Sequence, residues 1–387
     1  MQHPLPIPGT GCDVLVVGAG RGARFGGAKQ YASLAGVPVF RRSLQAFLGH
    51  GGLRKVVPVI HADDQVPFAE TAAGLAVAAP VTGGASRQQS VRNGLEALAA
   101  DPPALVLIHD AARPFVSAAL IERVIGALAT ADGAIPAMAL SDTIKRVDAA
   151  GLVAATVPRD ALVRAQTPQG FRYGAILAAH RAAAHLDLTD DAAVLEHAGG
   201  TVMTVLGDDA NRKITTPEDL ARMTDALMET RTGHGFDAHR FIAGDAVMLC
   251  GVRVPHTARL LGHSDADVAL HAATDAILGA IGAGDIGLHF PPSDPSYRHA
   301  PSERFLAHAM QLVRARGGEL VNLDITIICE RPKIGPHRAA MVAEVARIAG
   351  VSPARVSVKA TTTEGMGFTG RAEGIAAQAS ATVRLAV

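Results

Sequence analysis

Aromatic residues are scarce in this sequence. Its 387 residues include no tryptophan, three tyrosines and 11 phenylalanines, although 49% of the residues are hydrophobic. The interior must therefore consist mainly of alanine, valine, leucine and isoleucine. A chain of this length can bury two or more separate cores. We therefore expect at least two domains with aliphatic interiors.

The sequence also has few cysteines, no net charge and no long apolar run. The three cysteines (Cys12, Cys250 and Cys329) are far apart, which excludes a disulfide framework and suits a reducing compartment. The formal net charge is zero, which argues against a general binder of nucleic acid or membrane surfaces. No apolar run reaches the roughly 18 residues of a membrane span, and no signal-peptide pattern is present. We expect a cytoplasmic protein without nucleic-acid or membrane partners.

Residues 12–229 alternate short apolar runs with longer amphipathic segments. This alternation predicts a doubly wound α/β domain with a mostly parallel sheet. The predicted strands are 13–17, 55–60, 104–109, 133–138 and 201–206, and the predicted helices are 86–100, 117–131, 173–184 and 217–229. Residues 230–233 break the pattern. We place the linker there, giving domains 1–231 and 232–387.

Residues 232–387 show a different pattern, which predicts an α+β domain with helices on one side of a sheet. Within 320–328, Val321, Leu323, Ile325 and Ile327 are predicted to share one face. The predicted strands are 247–254, 320–328, 355–360 and 376–385, and the predicted helices are 265–281, 302–316 and 336–349.

A glycine-rich loop follows the first predicted strand. Glycines such as Gly20 and Gly22 let the backbone approach phosphate oxygens, while Arg24 and Lys29 supply positive charge. The loop also fits the dinucleotide fingerprint G-x-G-x-x-G/A through Gly18-x-Gly20-x-x-Ala23. An NADP-dependent oxidoreductase is therefore an alternative, although the fingerprint should open a helix at once.

Further polar groups favour a phosphate-handling site. Asp110 ends a predicted buried strand, where doubly wound sheets bind ligands, and its carboxylate can hold Mg²⁺ or simply cap the next helix. A second glycine loop, which includes Gly84, Arg87 and Ser90, opens a helix that can hold a base or a phosphate, or serves only as an ordinary helix cap.

Together these motifs resemble those of the 2-C-methyl-D-erythritol 4-phosphate cytidylyltransferase family. The resemblance covers 12–229 and implies a nucleotidyltransferase that moves CMP from CTP to 2-C-methyl-D-erythritol 4-phosphate and releases pyrophosphate. It rests on Gly20-x-Gly22-x-Arg24, Lys29-Gln30-Tyr31, His109-Asp110-Ala-Ala-Arg113-Pro114, Asp142-Thr143-Ile144-Lys145, Thr167-Pro168-Gln169 and Asn211-x-Lys213-Ile-Thr.

The resemblance also implies roles for single residues. Arg24 and Lys29 would stabilise charge on the CTP phosphates, and Asp110 would face Mg²⁺. The methylerythritol phosphate would be held by Arg113, Thr143, Arg159 and Lys213, and the nucleotide by Gly20, Gly22, Gly84, Arg87 and Ser90. The chain departs from the family pattern because Ala28 precedes Lys29 and the loop between Arg24 and Lys29 is short.

A second candidate site is centred on Asp237 and His239. Alternate residues of an extended segment point to one face, so these side chains can bind one metal ion together with His271 from a predicted helix. Asp267 and Asp275 fall on the same helix stripe as His271, and we expect one of them to accept its second N–H. The alternative is a structural metal that holds a trimer together.

Two loops add polar groups in the second domain. Thr361, Thr362, Thr363, Glu364 and Arg371 suit a Mg²⁺-bound diphosphate, or alternatively cap a strand end. The run from Asp285 to Phe290 reads as a loop whose acid can bind the hydroxyls of a polyol.

These runs resemble the 2-C-methyl-D-erythritol 2,4-cyclodiphosphate synthase family over nearly all of 232–387. The resemblance implies cyclisation of CDP-methylerythritol 2-phosphate with release of CMP, a divalent metal (zinc or manganese) on the Asp/His/His set, a second Mg²⁺-type ion at Glu364, and a homotrimer or larger assembly. His263 and Thr362 would stabilise the transition state. The substrate would be contacted by Ser264, Asp285, Gly287, Phe290, Lys333, Thr361, Thr363, Phe368 and Arg371. The whole chain is thus expected to be a bifunctional enzyme of non-mevalonate isoprenoid precursor synthesis.

Overall fold

The computed structural model describes residues 11–22, 24–262, 264–291 and 300–386. The chain divides into two compact units, Met1–Thr224 and Asp225–Val387. Within the described ranges, no helix is long and apolar enough to cross a bilayer.

The first unit is a doubly wound α/β fold, as predicted. Its strands are β1 (Cys12–Val17), β2 (Ser33–Leu34), β3 (Val37–Pro38), β4 (Leu53–Ile60), β5 (Val81–Thr82), β6 (Leu105–Asp110), β7 (Gly133–Ala139), β8 (Ile144–Val147), β9 (Val153–Val157), β10 (Val163–Ala165), β11 (Gln169–Arg172) and β12 (Val202–Leu206). Its helices are α1 (Val39–Leu48), α2 (Gln65–Ala72), α3 (Arg87–Ala97), α4 (Ala118–Ala127), α5 (Tyr173–Ala182), α6 (Asp191–His197) and α7 (Pro217–Ala226).

The main sheet has the order β10-β7-β11-β6-β1-β4-β5, with β12 beside β7. The pairs of β1 with β4 and β6, of β4 with β5, and of β7 with β12 are parallel. Strand β11 lies antiparallel between β6 and β7, so the sheet is mixed at this point. The carboxyl ends of β1 and β6 lie side by side, which places the glycine-rich loop next to Asp110.

Hydrophobic packing covers both faces of this sheet. Val14 and Val16 belong to a cluster with residues of α1 and α4, whereas Leu15 belongs to a cluster with residues of α3 and α5. Neighbouring residues of one strand point to opposite faces, so β1 supplies both cores.

The second unit is the α+β layer that was predicted. Its strands are β13 (Met228–Ala243), β14 (Ala246–Leu249), β15 (Val252–Pro255), β16 (Ala258–Leu260), β17 (Glu319–Ile328), β18 (Val356–Thr361) and β19 (Gly374–Ala386). Its helices are α8 (Val268–Ala280), α9 (Ile286–His289), α10 (Glu303–Ala315), α11 (Arg338–Ala349) and α12 (Gly367–Gly370). The sheet order is β16-β13-β19-β17-β18.

Helix α8 lies directly on strand β13. A Cβ atom at Gly233 or Gly235 would come within 2.1 Å of a backbone carbonyl oxygen of α8, from Ala276 or Ala272 respectively. Glycine at both positions therefore lets the helix approach the strand closely. This packing brings His271 of α8 to the strand residues Asp237 and His239.

Four predictions of local structure are wrong. The predicted helix 217–229 ends at Ala226. Residues 230–233, predicted to break the regular pattern, lie inside β13 because their backbone pairs with β19. The predicted strand 247–254 is the hairpin of β14 and β15, whose turn residues Cys250 and Gly251 have φ of 54° and 76°. Leu320 takes the place of Val321 in the buried face of β17, because pairing is irregular between Leu320 and Asn322.

Candidate active sites

The glycine-rich loop of the first unit is a closed turn. Gly22 has φ of +62°, and a Cβ atom there would lie 2.1 Å from the carbonyl oxygen of Gly27. The N–H of Lys29 donates to the same oxygen at 2.9 Å. Among the described residues after the loop, the first α-helix is α1, which begins only at Val39. The dinucleotide fingerprint requires a helix there, so the loop geometry disfavours that alternative; Ala23 lies outside the described residues.

Asp110 lies at the centre of a cluster of cationic side chains. Its Oδ2 is 2.7 Å from Nζ of Lys213 and 3.9 Å from Nε of Arg113, and its Oδ1 accepts a hydrogen bond from Nε of Arg87 at 3.2 Å. Burial alone would raise the pKa of Asp110, but the charges of Arg87, Lys213 and Arg113 hold it far below the ordinary range. The carboxylate therefore stays ionised.

Lys29 shares the same electrostatic environment. Its pKa is lowered by burial and then by the positive charge of Lys213, while Asp110 opposes the shift and Arg24 adds to it. Arg24 itself is exposed. Lys29 thus lies within the electrostatic influence of Lys213 and Asp110, as expected for a site that receives phosphates.

A buried scaffold supports the cluster. Nε2–H of His109 donates to the carbonyl oxygen of Arg113 at 2.9 Å, and Nδ1 accepts from the hydroxyl of Thr167 at 3.1 Å. Burial lowers the pKa of His109 to about 4, so its imidazole is neutral. Nδ2 of Asn211 donates to the carbonyl of Thr167 at 2.7 Å, and Arg113 donates to the carbonyl of Asn211 at 2.8 Å.

Arg87 has a second partner that the sequence did not reveal. Its Nη2 lies 2.8 Å from Oδ2 of Asp191, and Oδ1 of Asp191 lies 3.2 Å from Nε2 of His180. Both Asp191 and His180 are buried. Since Asp191 is far from Arg87 in the chain and carries no motif, only the fold brings them together.

The second glycine loop is fixed by α3. Ser86 caps the helix by accepting from the N–H of Gln89 at 3.1 Å, as the alternative of an ordinary helix cap predicted. Oγ of Ser90 accepts from the N–H of Gly84 at 3.0 Å.

Two other residues expected in the first site, Thr143 and Arg159, are exposed beside the hairpin of β8 and β9, where Arg159 donates to the carbonyl of Ser141. Within the described residues no hydrogen bond or ion pair joins either of them to Asp110.

In the second unit Asp237, His239 and His271 form one cluster. Oδ2 of Asp237 is 2.9 Å from both Nε2 of His239 and Nδ1 of His271, and these two nitrogens are 3.2 Å apart. Burial alone would raise the pKa of Asp237, but hydrogen bonds and charge from both imidazoles lower it. Burial alone would lower the pKa of His239, but its hydrogen bond to Asp237 raises it.

The donor set fits a divalent metal ion. Two imidazole nitrogens and one carboxylate oxygen, all within 4.8 Å of one another, leave at least one coordination position open. Zinc and manganese both accept this combination of ligands.

The remaining nitrogen of His271 faces two serines, not the aspartates that were predicted. Its Nε2 is 2.9 Å from Oγ of Ser302 and 3.1 Å from Oγ of Ser264. Asp267 instead accepts from the N–H groups of Cys250, Gly251, Ala269 and Leu270, and Asp275 accepts from the N–H of Ile286. Asp275 lies on α8 as predicted, whereas Asp267 is the N-cap residue before that helix, and backbone donors already occupy both carboxylates.

The threonine-rich loop follows β18 and turns sharply. Glu364 adopts the left-handed conformation at φ of 54°, and its Oε1 accepts from Oγ1 of Thr362 at 2.6 Å. A carboxylate that the sequence did not suggest, Glu330, accepts from the N–H groups of Thr363 at 3.1 Å and Gly365 at 3.4 Å. Oγ1 of Thr361 donates to the carbonyl of Thr362 at 3.1 Å.

The other expected residues of this unit are spread around the loops. Asp285 caps α9 by accepting from the N–H of Leu288 at 2.9 Å, and Gly287 lies in the first turn of that helix. The ring of Phe290 packs against Phe305 with centroids 4.5 Å apart. Lys333 and Phe368 are exposed, and Arg371 pairs with Glu373. His263 lies outside the described residues.

Two family models account for nearly the whole chain. The model described as 2-C-methyl-D-erythritol 4-phosphate cytidylyltransferase matches residues 12–230, and the model described as the YgbB family matches residues 230–384.

Similar proteins agree with this assignment. The bifunctional enzyme IspD/IspF of Paramagnetospirillum magneticum is 59% identical over 378 residues, which cover 96% of this chain and 98% of that protein. That of Rhodospirillum rubrum is 56% identical over 377 residues, which cover 96% and 98%. The crystal structure of 4-diphosphocytidyl-2C-methyl-D-erythritol synthase from Anaerococcus prevotii is 30% identical and covers 57% of this chain and 99% of its own, with a TM-score of 0.51. Both predicted resemblances are confirmed, and the chain belongs to the bifunctional IspD/IspF family.

Proposed function

We propose that the two clusters described above are the two active sites of this bifunctional enzyme. The first unit, expected from sequence to span 1–231, would transfer CMP from CTP to 2-C-methyl-D-erythritol 4-phosphate. The second, expected to span 232–387, would cyclise CDP-methylerythritol 2-phosphate and release CMP. Membership of the IspD/IspF family supports both cytidylyl transfer and cyclodiphosphate synthesis in isoprenoid biosynthesis. The observation that carries the proposal is that each unit gathers a separate set of charged groups.

In the first unit the chemistry joins two anions. An oxygen of the acceptor phosphate attacks the α-phosphorus of CTP, and pyrophosphate leaves with the bonding electron pair. Lys29 and Arg24 would screen the triphosphate, while Lys213 and Arg113 would hold the acceptor phosphate. Catalysis then consists of positioning and cationic stabilisation.

Asp110 is the group of the first unit that suits Mg²⁺. Asp110 is the carboxylate at the centre of the cluster, and it stays ionised. It pairs with Lys213 and Arg113, the two residues that are assigned to the acceptor phosphate. Mg²⁺ supplies charge neutralisation between phosphates when it is bound. Gly20, Gly22, Gly84, Arg87 and Ser90 are assigned to the nucleotide, and Thr143 and Arg159 to the acceptor, by resemblance alone.

In the second unit Asp237, His239 and His271 would hold one divalent metal, either zinc or manganese. Such an ion polarises a phosphate oxygen when it is bound. Thr361, Thr362 and Thr363 carry hydroxyls on one turn, beside the carboxylate of Glu364, which would face a second, Mg²⁺-type ion. An oxygen of the 2-phosphate attacks the β-phosphorus of the diphosphate, and CMP leaves with the bridging oxygen and the bonding electron pair. Contacts by His263, Ser264, Asp285, Gly287, Phe290, Lys333, Phe368 and Arg371 are assigned by resemblance.

We also propose a homotrimeric or larger assembly in the cytoplasm. Phe236, next to Asp237 on β13, is 60% exposed, which is consistent with a partner covering this face. The three cysteines are free and buried, in agreement with a reducing compartment. An active species that sediments as a monomer would refute the trimer.

Phosphorus NMR tests the assigned activities directly. With CTP, Mg²⁺ and 2-C-methyl-D-erythritol 4-phosphate, new diphosphodiester signals and pyrophosphate are expected. With CDP-methylerythritol 2-phosphate, the signals of a cyclic diphosphate and CMP are expected. If folded protein gives neither, the proposal fails; if it gives one, only the silent unit has another function.

A further inference from the structure

Arg21 lies in the glycine-rich loop but its charge is already paired. Its Nη1 lies 3.0 Å from Oδ1 of Asp64, and its Nη2 forms a second ion pair with Asp63. The Asp64 side chain is only 6% exposed, whereas that of Arg21 is 49% exposed. A buried carboxylate is costly unless it has a partner, and Arg21 is the cation that Asp64 pairs with.

Asp64 also contacts the far end of the same loop. Nε2 of Gln30 lies 3.4 Å from Oδ2 of Asp64, and it donates to the carbonyls of Gly18 at 2.8 Å and Gly20 at 3.2 Å. Gln30 is buried. One carboxylate thus contacts side chains from both ends of the segment that carries Arg24 and Lys29.

The loop needs such a support. Its described residues between the end of β1 at Val17 and the short helix that begins at Lys29 (18–22 and 24–28) form no helix or strand, and its many glycines make it costly to order. Asp64 does not cap α2, which starts at the next residue, so its carboxylate is free to serve the loop. Arg21 differs from the exposed Arg24, because two carboxylates neutralise its charge.

We propose that Arg21 and Asp64 are positioning residues for cytidylyl transfer, which hold the glycine-rich loop in the conformation that presents Arg24 and Lys29 to the triphosphate of CTP. This inference rests on the proposed function of the first unit. Neither residue touches substrate in this account. Their effect passes through the loop backbone and through Gln30.

The test compares R21M with R54M in the full chain. Arg54 offers a matched control, because its Nε lies 3.0 Å from Oδ1 of the fully buried Asp13 near the start of β1, away from the loop. Both variants leave a buried aspartate without its arginine. For R21M we expect kcat/KM for CTP to fall about 10- to 100-fold, the size of effect that displaced catalytic groups produce. R54M should stay within about twofold of wild type, and R21K should recover part of the loss.

Hydrogen exchange of residues 18–31, read by mass spectrometry without substrate, gives a readout independent of activity. R21M should exchange faster than wild type in this peptide, and R54M should not. Exchange of the buried β6 peptide in the same samples shows whether the first unit is folded in each variant. A normal kcat/KM in R21M overturns the inference, and so does a reduced value with unchanged loop exchange, because Arg21 would then contact the nucleotide. Wild-type protein without transferase activity would instead refute the proposed function.

Discussion

The ammonium nitrogen of Lys213 lies 2.7 Å from Oδ2 of Asp110. The pair joins the end of β6 to the segment that follows β12. It also joins the group assigned to the acceptor phosphate with the group assigned to Mg²⁺. When substrates bind, the phosphate would replace Asp110 as the partner of Lys213.

Loss of the Lys213 charge should therefore affect only the first activity. We expect K213M to lower kcat/KM for 2-C-methyl-D-erythritol 4-phosphate by about 10²- to 10³-fold, the usual effect of removing one charged group from a transition state. Steady-state assays of pyrophosphate release measure it. The control is R212M, since Arg212 is exposed and pairs with Asp209. Equal losses in both variants would contradict the assignment.

The two activities should differ in their response to metal removal. After chelation and return of Mg²⁺ alone, cytidylyl transfer should recover, while cyclisation should stay low until zinc or manganese is added. The reason is that imidazole ligands such as His239 and His271 suit these ions, whereas Mg²⁺ prefers oxygen ligands. Elemental analysis of the H271A variant should show less bound transition metal than wild type. Full cyclisation with Mg²⁺ alone would rule out a functional role for the Asp/His/His set.

Ser302 should tune the metal site without binding the ion. Its Oγ lies 2.9 Å from the distal nitrogen of His271, and such outer partners typically change metal affinity about 10- to 100-fold. We expect S302A to weaken metal binding by that factor in a competition titration. S352A, which removes the cap of a short helix at Ser352, serves as control. Unchanged affinity in S302A would show that Ser264 alone orients the imidazole.

Much of the fold could be predicted from the sequence, because it depends on local periodicity. Asp237 and His239 were placed on one face of a segment taken to be extended, and their side chains do meet that of His271. The hairpin at Cys250 was missed because its turn uses a non-glycine residue with positive φ inside an apolar run. The partners Asp191, Ser302 and Glu330 were missed because only the fold brings them to the sites.

The antiparallel strand β11 shows the same limit. Its sequence, Gln169–Arg172, carries no signal of direction, and its place between β6 and β7 depends on long-range pairing. The unpredicted strand structure of residues 230–233 has a related cause. Residues 230–233 are polar and contain a glycine, yet they form strand because β19 pairs with them and Gly233 lies under α8.

The neutral, buried His109 makes the first unit sensitive to acid. Burial lowers its pKa from 6.5 to about 4. Between pH 6.5 and about pH 4 the imidazole binds a proton in the unfolded chain but not in the folded one. The free energy of unfolding therefore falls as the pH is lowered through this range, by about 3 kcal/mol in total. H109Q keeps a hydrogen-bonding side chain but does not titrate.

Hydrogen exchange of the buried β6 peptide at pH 7 and pH 5, corrected for intrinsic rates, measures this effect. We expect the wild type to lose more protection than H109Q on acidification. The same pH dependence in both proteins would show that His109 is not the responsible group.

We propose that one chain carries two independent active sites. Phosphorus NMR of D110N and D237N, each given the substrates of both reactions in turn, can separate them. We expect D110N to fail to form the diphosphodiester but still to form the cyclic diphosphate, and D237N to do the reverse. A folded variant that loses both reactions, or keeps both, would contradict it.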